Sequence, residues 1–101
     1  MATVRGVVNF NVKPGRYNDL FEGLKGLRRI IEGLGSTLTV NRVVIGAEPT
    51  HIIAVVQYAD YAAYAKAASH SELRDLIDSM RNNSNPPWES LTIMLVEEVP
   101  L

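Results

Sequence analysis

The stretch VRGVVNFNVKPGRYNDLFEGLKGLRRIIEGL, residues 4–34, decides the fold because two hydrophobic periods meet in it. Over residues 2–12, small or apolar side chains occupy alternate positions, which predicts a strand with one strongly apolar face. Pro14, in the Lys-Pro-Gly turn that ends this strand, suits the first turn of a helix. Over 16–34 the apolar residues recur at three- and four-residue steps. This predicts a long helix that lies on a core and is closed by Gly35.

The remainder of the chain predicts three more strands and a second helix. Residues 36–47 are rich in Thr, Val and Ile and predict a second strand, and His51–Tyr58 predicts a third. The short turn at 48–50 between them indicates an antiparallel hairpin. Trp88–Val99 predicts the fourth strand. The order βαββαβ is that of an α+β, ferredoxin-like sandwich, with two helices on one face of a four-stranded antiparallel sheet. We predict a single domain over 1–101.

The second helix is predicted to begin after Asp60, whose carboxylate can accept hydrogen bonds from free backbone amides. The pattern Ser69-x-x-Glu72 resembles a capping box, so we expect the helix to restart there. The side chains expected to face inward are Tyr61, Tyr64, Ala65 and Ala68 before this break, and Leu73, Leu76, Ile77 and Met80 after it.

Composition favours a soluble, cytoplasmic protein. Hydrophobic residues make up 47% of the chain and charged residues 21%, as in ordinary globular domains. A formal net charge of −1 gives no basic excess for nucleic acid or for an anionic membrane, so we expect neither as a partner. The chain has no cysteine, and its two histidines have no metal-ligand spacing, so we predict no metal and no cofactor. No apolar run approaches the roughly 20 residues of a membrane span, and the first residues lack a signal-peptide pattern.

Both faces of the predicted sheet carry apolar residues. The fourth strand has Leu91, Ile93 and Leu95 on one side and Trp88, Met94 and Val96 on the other. The third strand likewise places Ile53 and Val55 opposite Ile52, Ala54 and Val56. Two helices can cover only one face, and the other presents on the order of 400 Å². Because that is near the largest apolar patch of an ordinary monomer, we predict a homodimer.

The chain resembles the dimeric α+β barrel superfamily, which includes antibiotic-biosynthesis monooxygenases and NIPSNAP-type domains. The residues that carry the resemblance are Val7-Val8-Asn9-Phe10-Asn11-Val12-Lys13-Pro14-Gly15, Val43-Val44-Ile45-Gly46 and Tyr58-Ala59-Asp60-Tyr61-Ala62-Ala63-Tyr64. The resemblance covers essentially the whole chain. It implies that the ferredoxin-like sandwich pairs into a barrel of two sheets with the helices outside. It also implies a small-molecule cavity between helices and sheet in each protomer.

Three groups of side chains are candidates for a site. His70, at the expected helix break, is the candidate acid or base, with a histidine in a cap as the alternative. A set of aromatic residues could line an apolar cavity or simply fill the core: Phe10, Tyr17, Tyr58, Tyr61, Tyr64 and Trp88. Arg5 and Asn9, which share one face of the first strand with Asn11, could hold a carboxylate or carbonyl of a ligand. Their alternative is a polar layer at a dimer contact or in solvent.

Three functions remain open on this evidence. The first is a domain that binds a small apolar or aromatic molecule between helices and sheet. The second is a cofactor-independent monooxygenase or isomerase acting on a small aromatic or polyketide-like substrate, with His70 or a tyrosine removing a proton. The third is a structural or regulatory dimer without a ligand. Resemblance at the level of the fold does not choose among them.

Overall fold

A computed structural model of the chain describes residues 3–46 and 50–101. Its elements, in order, are β1 (Val4–Val12), α1 (Tyr17–Gly33), β2 (Thr37–Arg42), β3 (His51–Tyr58), α2 (Tyr61–Ala68), α3 (Ser71–Arg81) and β4 (Trp88–Glu97). The predicted βαββαβ order is confirmed, with the second helix divided into α2 and α3 at the expected break. Strand β2 is shorter than predicted, since it ends at Arg42. Ala47, the predicted end of that strand, lies outside the described residues.

The four strands form one antiparallel sheet in the order β2-β3-β1-β4. Residues paired across neighbouring strands share a face, so the register separates two sides. One side, here called the helix side, contains Phe10 with its partners Ile52 and Leu91. The opposite side, here called the open side, contains Val7 with its partners Val55 and Met94. The first and last strands of the chain therefore lie next to each other in the sheet.

The helix side holds the core, in two clusters of buried side chains. One cluster joins Val4, Ile31, Leu38, Val56, Tyr58, Ala67 and Leu73. The other joins Phe10, Val12, Leu20, Leu24, Ile52, Ala54 and Trp88. Helix α1 supplies buried residues to both clusters, and Leu27 packs against both. The stripe of apolar residues in α1 therefore does what its period predicts: it anchors the helix along the sheet.

Trp88 lies on the helix side, and its predicted position on the other face is wrong. The β1–β4 pairing shifts register between Asn11 and Val12, so Val12 pairs with Trp88 although Asn11 pairs with Ser90. Such an irregularity places one extra residue, Glu89, in β4. The side chain of Trp88, the residue before Glu89, therefore points to the helix side of the sheet. Trp88 consequently packs against Phe10, with ring centroids 5.4 Å apart.

The inward face predicted for α2 is also wrong. Tyr61 and Tyr64 are partly exposed, whereas Ala67 is buried and Ala63 packs against the core. The small side chains of Ala63 and Ala67 face the sheet, so the two tyrosines of α2 lie on its outer face. The face predicted for α3 is largely confirmed, with Leu73 buried and Leu76 and Met80 half-buried.

The cap of α2 is confirmed and that of α3 is corrected. Asp60 Oδ1 accepts from the Ala63 amide at 2.8 Å, as expected of an N-cap aspartate. In α3 the N-cap is His70, whose Nδ1 accepts from the Leu73 amide at 3.4 Å. Ser69, the predicted cap, instead donates from Oγ to the carbonyl of Ala65 at 2.9 Å. Within the described ranges, no helix has the length and apolarity needed to cross a membrane.

Candidate functional site

The helices cover the helix side of the sheet unevenly. On β3 every helix-side residue from Ile52 to Tyr58 is buried. On β4, by contrast, Ile93 is 60% exposed and Leu95 44% exposed, although both belong to the same side. Large apolar side chains pointing to the helix side of a sheet are normally covered. The uncovered half of the sheet is therefore a candidate binding surface.

We call this surface the β4 cleft and define it by six residues. Its floor is formed by two cross-strand pairs, Val8 with Ile93 and Gly6 with Leu95. Its wall is the exposed side of α2, with Tyr61 and Tyr64.

Three contacts place the wall beside the floor. The Tyr64 ring meets the Tyr58 ring edge-on, with centroids 5.5 Å apart. Tyr58 in turn lies beside Gly6, where a Cβ atom would come 3.6 Å from the Tyr58 ring. At the end of the strand, the Tyr61 hydroxyl lies beside the Glu97 carboxylate, two residues beyond Leu95. The cleft thus combines an aliphatic floor, aromatic edges and phenolic hydroxyl groups, which is a chemistry suited to apolar and aromatic ligands.

Tyr58, which lies beside the cleft, and Tyr61, which belongs to its wall, keep their protons more firmly than a free phenol. Burial raises the pKa of Tyr58, and the nearby Tyr64 raises it further. The neighbouring Glu97 carboxylate, as a hydrogen-bond acceptor, raises the pKa of Tyr61, with desolvation adding to the effect. Because the neutral phenol is favoured in each case, these groups act near neutral pH as hydrogen-bond donors.

The predicted aromatic residues do not form one cavity. Phe10 and Trp88 are buried and pack against each other in the second core cluster. Tyr17 packs at the edge of that cluster, with its ring 6.3 Å from that of Phe21. Tyr58, Tyr61 and Tyr64 lie together at the other end of the molecule, beside the cleft. Of the six residues, Tyr61 and Tyr64 have exposed side chains, whereas Tyr58 is buried beneath them.

Arg5 and Asn9 lie on the open side of the sheet, opposite to Phe10. Asn9 Oδ1 is 2.8 Å from Nδ1 of His51, and Thr50 Oγ1 donates to Asn11 Oδ1 at 3.1 Å. These polar side chains flank an apolar row, Val55–Val7–Met94, that crosses the middle of the open side. Within the chain, Arg5 and Asn9 therefore belong to a different surface from the aromatic residues.

His70 lies in neither of these two surfaces. It lines a groove of about 570 Å³ between α1 and α3, which we call the α1–α3 groove. The groove is lined by Gly26, Arg29, Ile30, Gly33, Leu34, His70, Glu72 and Leu76. Because Nδ1 of His70 is engaged by the Leu73 amide, Nε2 is the ring nitrogen left for a ligand. Among the described residues, no three histidine or acidic side chains come together in a way that could hold a metal ion.

Sequence reasoning missed that Leu95 is left uncovered and that Glu97 lies beside Tyr61. The alternation of β4 identified Leu95 as apolar but could not show that no helix covers it. The position of Glu97 could have indicated a site, because this charged residue follows Leu91, Ile93 and Leu95 on the same side of the strand. Its partner Tyr61 comes from a helix whose orientation was predicted wrongly, so the pair could not be inferred.

Comparison with known proteins identifies the fold. The sequence matches no family model and no curated protein. Among solved structures, the chain is similar to SnoaB, a cofactor-independent oxygenase from Streptomyces nogalater. The identity is 14% and the TM-score 0.72, with 93% of this chain and 90% of that one covered. The chain therefore shares the α+β fold of that structure.

Two further structures share this fold over essentially the full length of the chain. A dabb family protein with a ferredoxin-like fold from Mesorhizobium loti is 21% identical, with a TM-score of 0.68 and coverage of 100% and 99% of the two chains. A putative antibiotic biosynthesis monooxygenase from Bordetella bronchiseptica is 16% identical, with a TM-score of 0.65 and coverage of 99% and 100%. The predicted resemblance to monooxygenase-type α+β barrels is thereby confirmed at the level of the fold.

Proposed function

We propose that this protein binds a small apolar or aromatic molecule in the β4 cleft and acts as a homodimer. The observation that carries the binding proposal is the exposure of Ile93 and Leu95 on the side of the sheet that the helices otherwise cover. Covering these side chains with a ligand would remove roughly 25 cal/mol of unfavourable hydration per Å² of apolar surface. The phenolic groups of Tyr61 and Tyr64 would then orient a polar substituent of the ligand.

The homodimer is supported by the apolar residues that the open side of the sheet exposes. Its central row, Val55–Val7–Met94, is apolar, and Ile53 and Val96 extend it on either side. Met94 is 50% exposed and Val96 is 39% exposed. A second copy packed on this face would cover the row, and a twofold axis would place the same residues of both copies in contact. Arg5 and Asn9 would then lie within the dimer contact.

Two neighbouring residues of β4 allow the two parts of this proposal to be tested separately. Leu95 and Met94 are adjacent and similarly exposed, but they lie on opposite sides of the sheet. Leu95→Lys should weaken binding of 1-naphthol, a small aromatic probe, by about tenfold or more in calorimetric titration, because it places a charge in the cleft. Met94→Lys should leave naphthol binding unchanged and convert the dimer to a monomer in native mass spectrometry.

The outcomes separate binding from assembly. Naphthol binding that survives Leu95→Lys undiminished would show that the cleft is not the site. A wild-type protein that is monomeric at micromolar concentration would overturn the dimer alone. A dimer that takes up neither naphthol nor any co-purifying molecule would favour the structural or regulatory function without ligand.

A cofactor-independent monooxygenase or isomerase is the second candidate. It is favoured by the fold shared with SnoaB, which is named as a cofactor-independent oxygenase. In this alternative the substrate would bind in the α1–α3 groove, which His70 lines, and His70 is the proposed base. His70→Asn provides a sharp test, since asparagine can still cap α3 while the imidazole is lost. Abolished oxygen uptake with 1-naphthol in His70→Asn, at an unchanged melting temperature, would support His70; retained turnover would remove it from the mechanism.

A further inference from the structure

The α1–α3 groove is a second pocket, separate from the β4 cleft. Its volume of about 570 Å³ lies within the range of small-molecule sites, roughly 300–1,000 Å³. Its apolar lining comes from Ile30 and Leu34 on the α1 side and from Leu76 on α3. All three side chains are half-buried, so the groove presents apolar surface to solvent.

Two glycines of α1 keep the groove open. At Gly33 a Cβ atom would meet nothing within 4 Å. At Gly26 it would come no closer than 4.0 Å to Leu76 Cδ2. Neither position is therefore forced to be glycine by close packing, and the space beside both is free for another molecule.

The polar residues of the groove offer one unpaired cation and one hydrogen-bond donor. Within residues 3–46 and 50–101, Arg29 forms no ion pair, whereas its neighbour Arg28 lies 3.7 Å from the Glu32 carboxylate. His70 accepts the Leu73 amide hydrogen through Nδ1, so in the neutral ring the proton is on Nε2. Glu72, in the first turn of α3, adds one negative charge to the rim.

We propose that the α1–α3 groove binds a small monocarboxylate with an apolar body. Arg29 and Nε2–H of His70 hold the carboxylate, and Ile30, Leu34 and Leu76 contact the apolar body. Glu72 limits the site to a single negative charge, because a second carboxylate would meet it at short range. This site is independent of the function proposed for the β4 cleft.

The test uses hexanoate as the probe and 1-hexanol as its uncharged counterpart. Amide chemical-shift changes are followed by NMR on the isotope-labelled full chain. Hexanoate should shift the amides of Gly26, Gly33 and Leu76 saturably in the millimolar range, and hexanol should shift them much less at equal concentration.

Three charge variants report on the groups in the groove. Arg29→Gln should weaken hexanoate binding by about five- to tenfold, because it removes the charged partner. Arg28→Gln is the matched control: it removes the same charge from the adjacent residue, outside the groove, and should have no effect. Glu72→Gln should strengthen binding by about twofold, because it removes the repelling carboxylate.

The proposal fails on any of three results. Shifts that do not saturate would show that hexanoate has no site on the protein. Equal weakening by Arg29→Gln and Arg28→Gln would show general charge attraction instead of a built site. Shifts confined to Gly6 and Leu95 would place hexanoate in the β4 cleft, which would support that cleft and overturn the groove.

Discussion

Strands β3 and β4 both pair with β1 and both present alternating apolar residues to the helix side, yet their burial differs sharply. Ile52 of β3 is 1% exposed, and Ile93 of β4 is 60% exposed. The difference comes from the helices: α1 packs on β2 and α2 packs on β3, whereas the second half of β4, from Ile93 onward, remains uncovered at the edge of the sheet. The same sequence pattern therefore contributes to the core in one strand and to a candidate binding surface in the other.

The buried apolar residues of β3 stabilise the fold, whereas the exposed apolar residues of β4 are available to bind another molecule. Burial of an isoleucine in β3 contributes to folding, whereas an exposed isoleucine in β4 contributes little until something covers it. Apolar surface on an edge strand is also an association hazard, which natural proteins usually reduce. Its retention in β4 is consistent with a ligand or partner that covers it.

The largest expected effect is the contrast between Ile52→Ala and Ile93→Ala. The first leaves a cavity in the core and should lower the free energy of unfolding by about 2–5 kcal/mol. The second removes an exposed side chain and should lower it by less than about 1 kcal/mol. Urea unfolding followed by circular dichroism measures both. Equal losses would show that β4 is covered in solution as fully as β3.

The next effect concerns α2, the helix that forms the wall of the β4 cleft. Asp60→Ala removes the acceptor of the Ala63 amide and should cost about 1 kcal/mol of unfolding free energy. Asp75→Ala, an exposed change of the same kind inside α3, should stay within about 0.5 kcal/mol of wild type. Asp60→Asn should restore most of the loss, since asparagine is also a good cap. A neutral Asp60→Ala would show that α2 does not depend on its cap.

The smallest effect concerns alkaline pH and Tyr58, which is buried at the junction of β3 and the cleft wall. Its folded-state pKa is raised above the unfolded value of about 10, so the folded state binds its proton more tightly. Stability from this group is present below pH 10 and is lost as pH rises through the folded-state pKa.

The measurement is the unfolding free energy as a function of pH, compared between wild type and Tyr58→Phe. The variant should lose less stability above pH 10, since phenylalanine carries no ionisable proton. Glu97→Gln is the control for Tyr61: it removes the carboxylate that raises the pKa of that exposed tyrosine and leaves Tyr58 untouched. Identical alkaline profiles for wild type and Tyr58→Phe would contradict the burial argument.

The fold could be predicted because local periodicity and turn chemistry agree over most of the chain. The period of α1, the hairpin of β2 and β3, and the Asp60 cap each follow from short-range patterns. Trp88 was misplaced because a register shift changes which side a residue faces and leaves no mark in the alternation. For α3 the sequence pattern favoured Ser69 as the cap, because serine is the more usual cap residue, and the cap was only the alternative for His70.

The candidate site was less predictable because it depends on which surfaces remain uncovered. Large aromatic residues look alike in sequence whether they fill a core, as Phe10 does, or border a cleft, as Tyr64 does. Only the docking of α2 through Ala63 and Ala67 decides that Tyr61 lies outward beside Glu97. That docking depends on tertiary packing of alanine side chains. Because α2 is rich in alanine, its sequence gives little indication of which face is buried.

The pairing of β1 with β4 also has a consequence for biosynthesis. Val4 pairs with Glu97, so one of the two central strands cannot be completed until residues 88–97 have been synthesised. Before then, a nascent sheet of β2, β3 and β1 would expose β1 as a hydrogen-bonding edge. Contacts so distant along the chain form slowly, because closing a long loop costs entropy before any pairing is gained. The emerging polypeptide is therefore most vulnerable to aggregation just before its last strand becomes available.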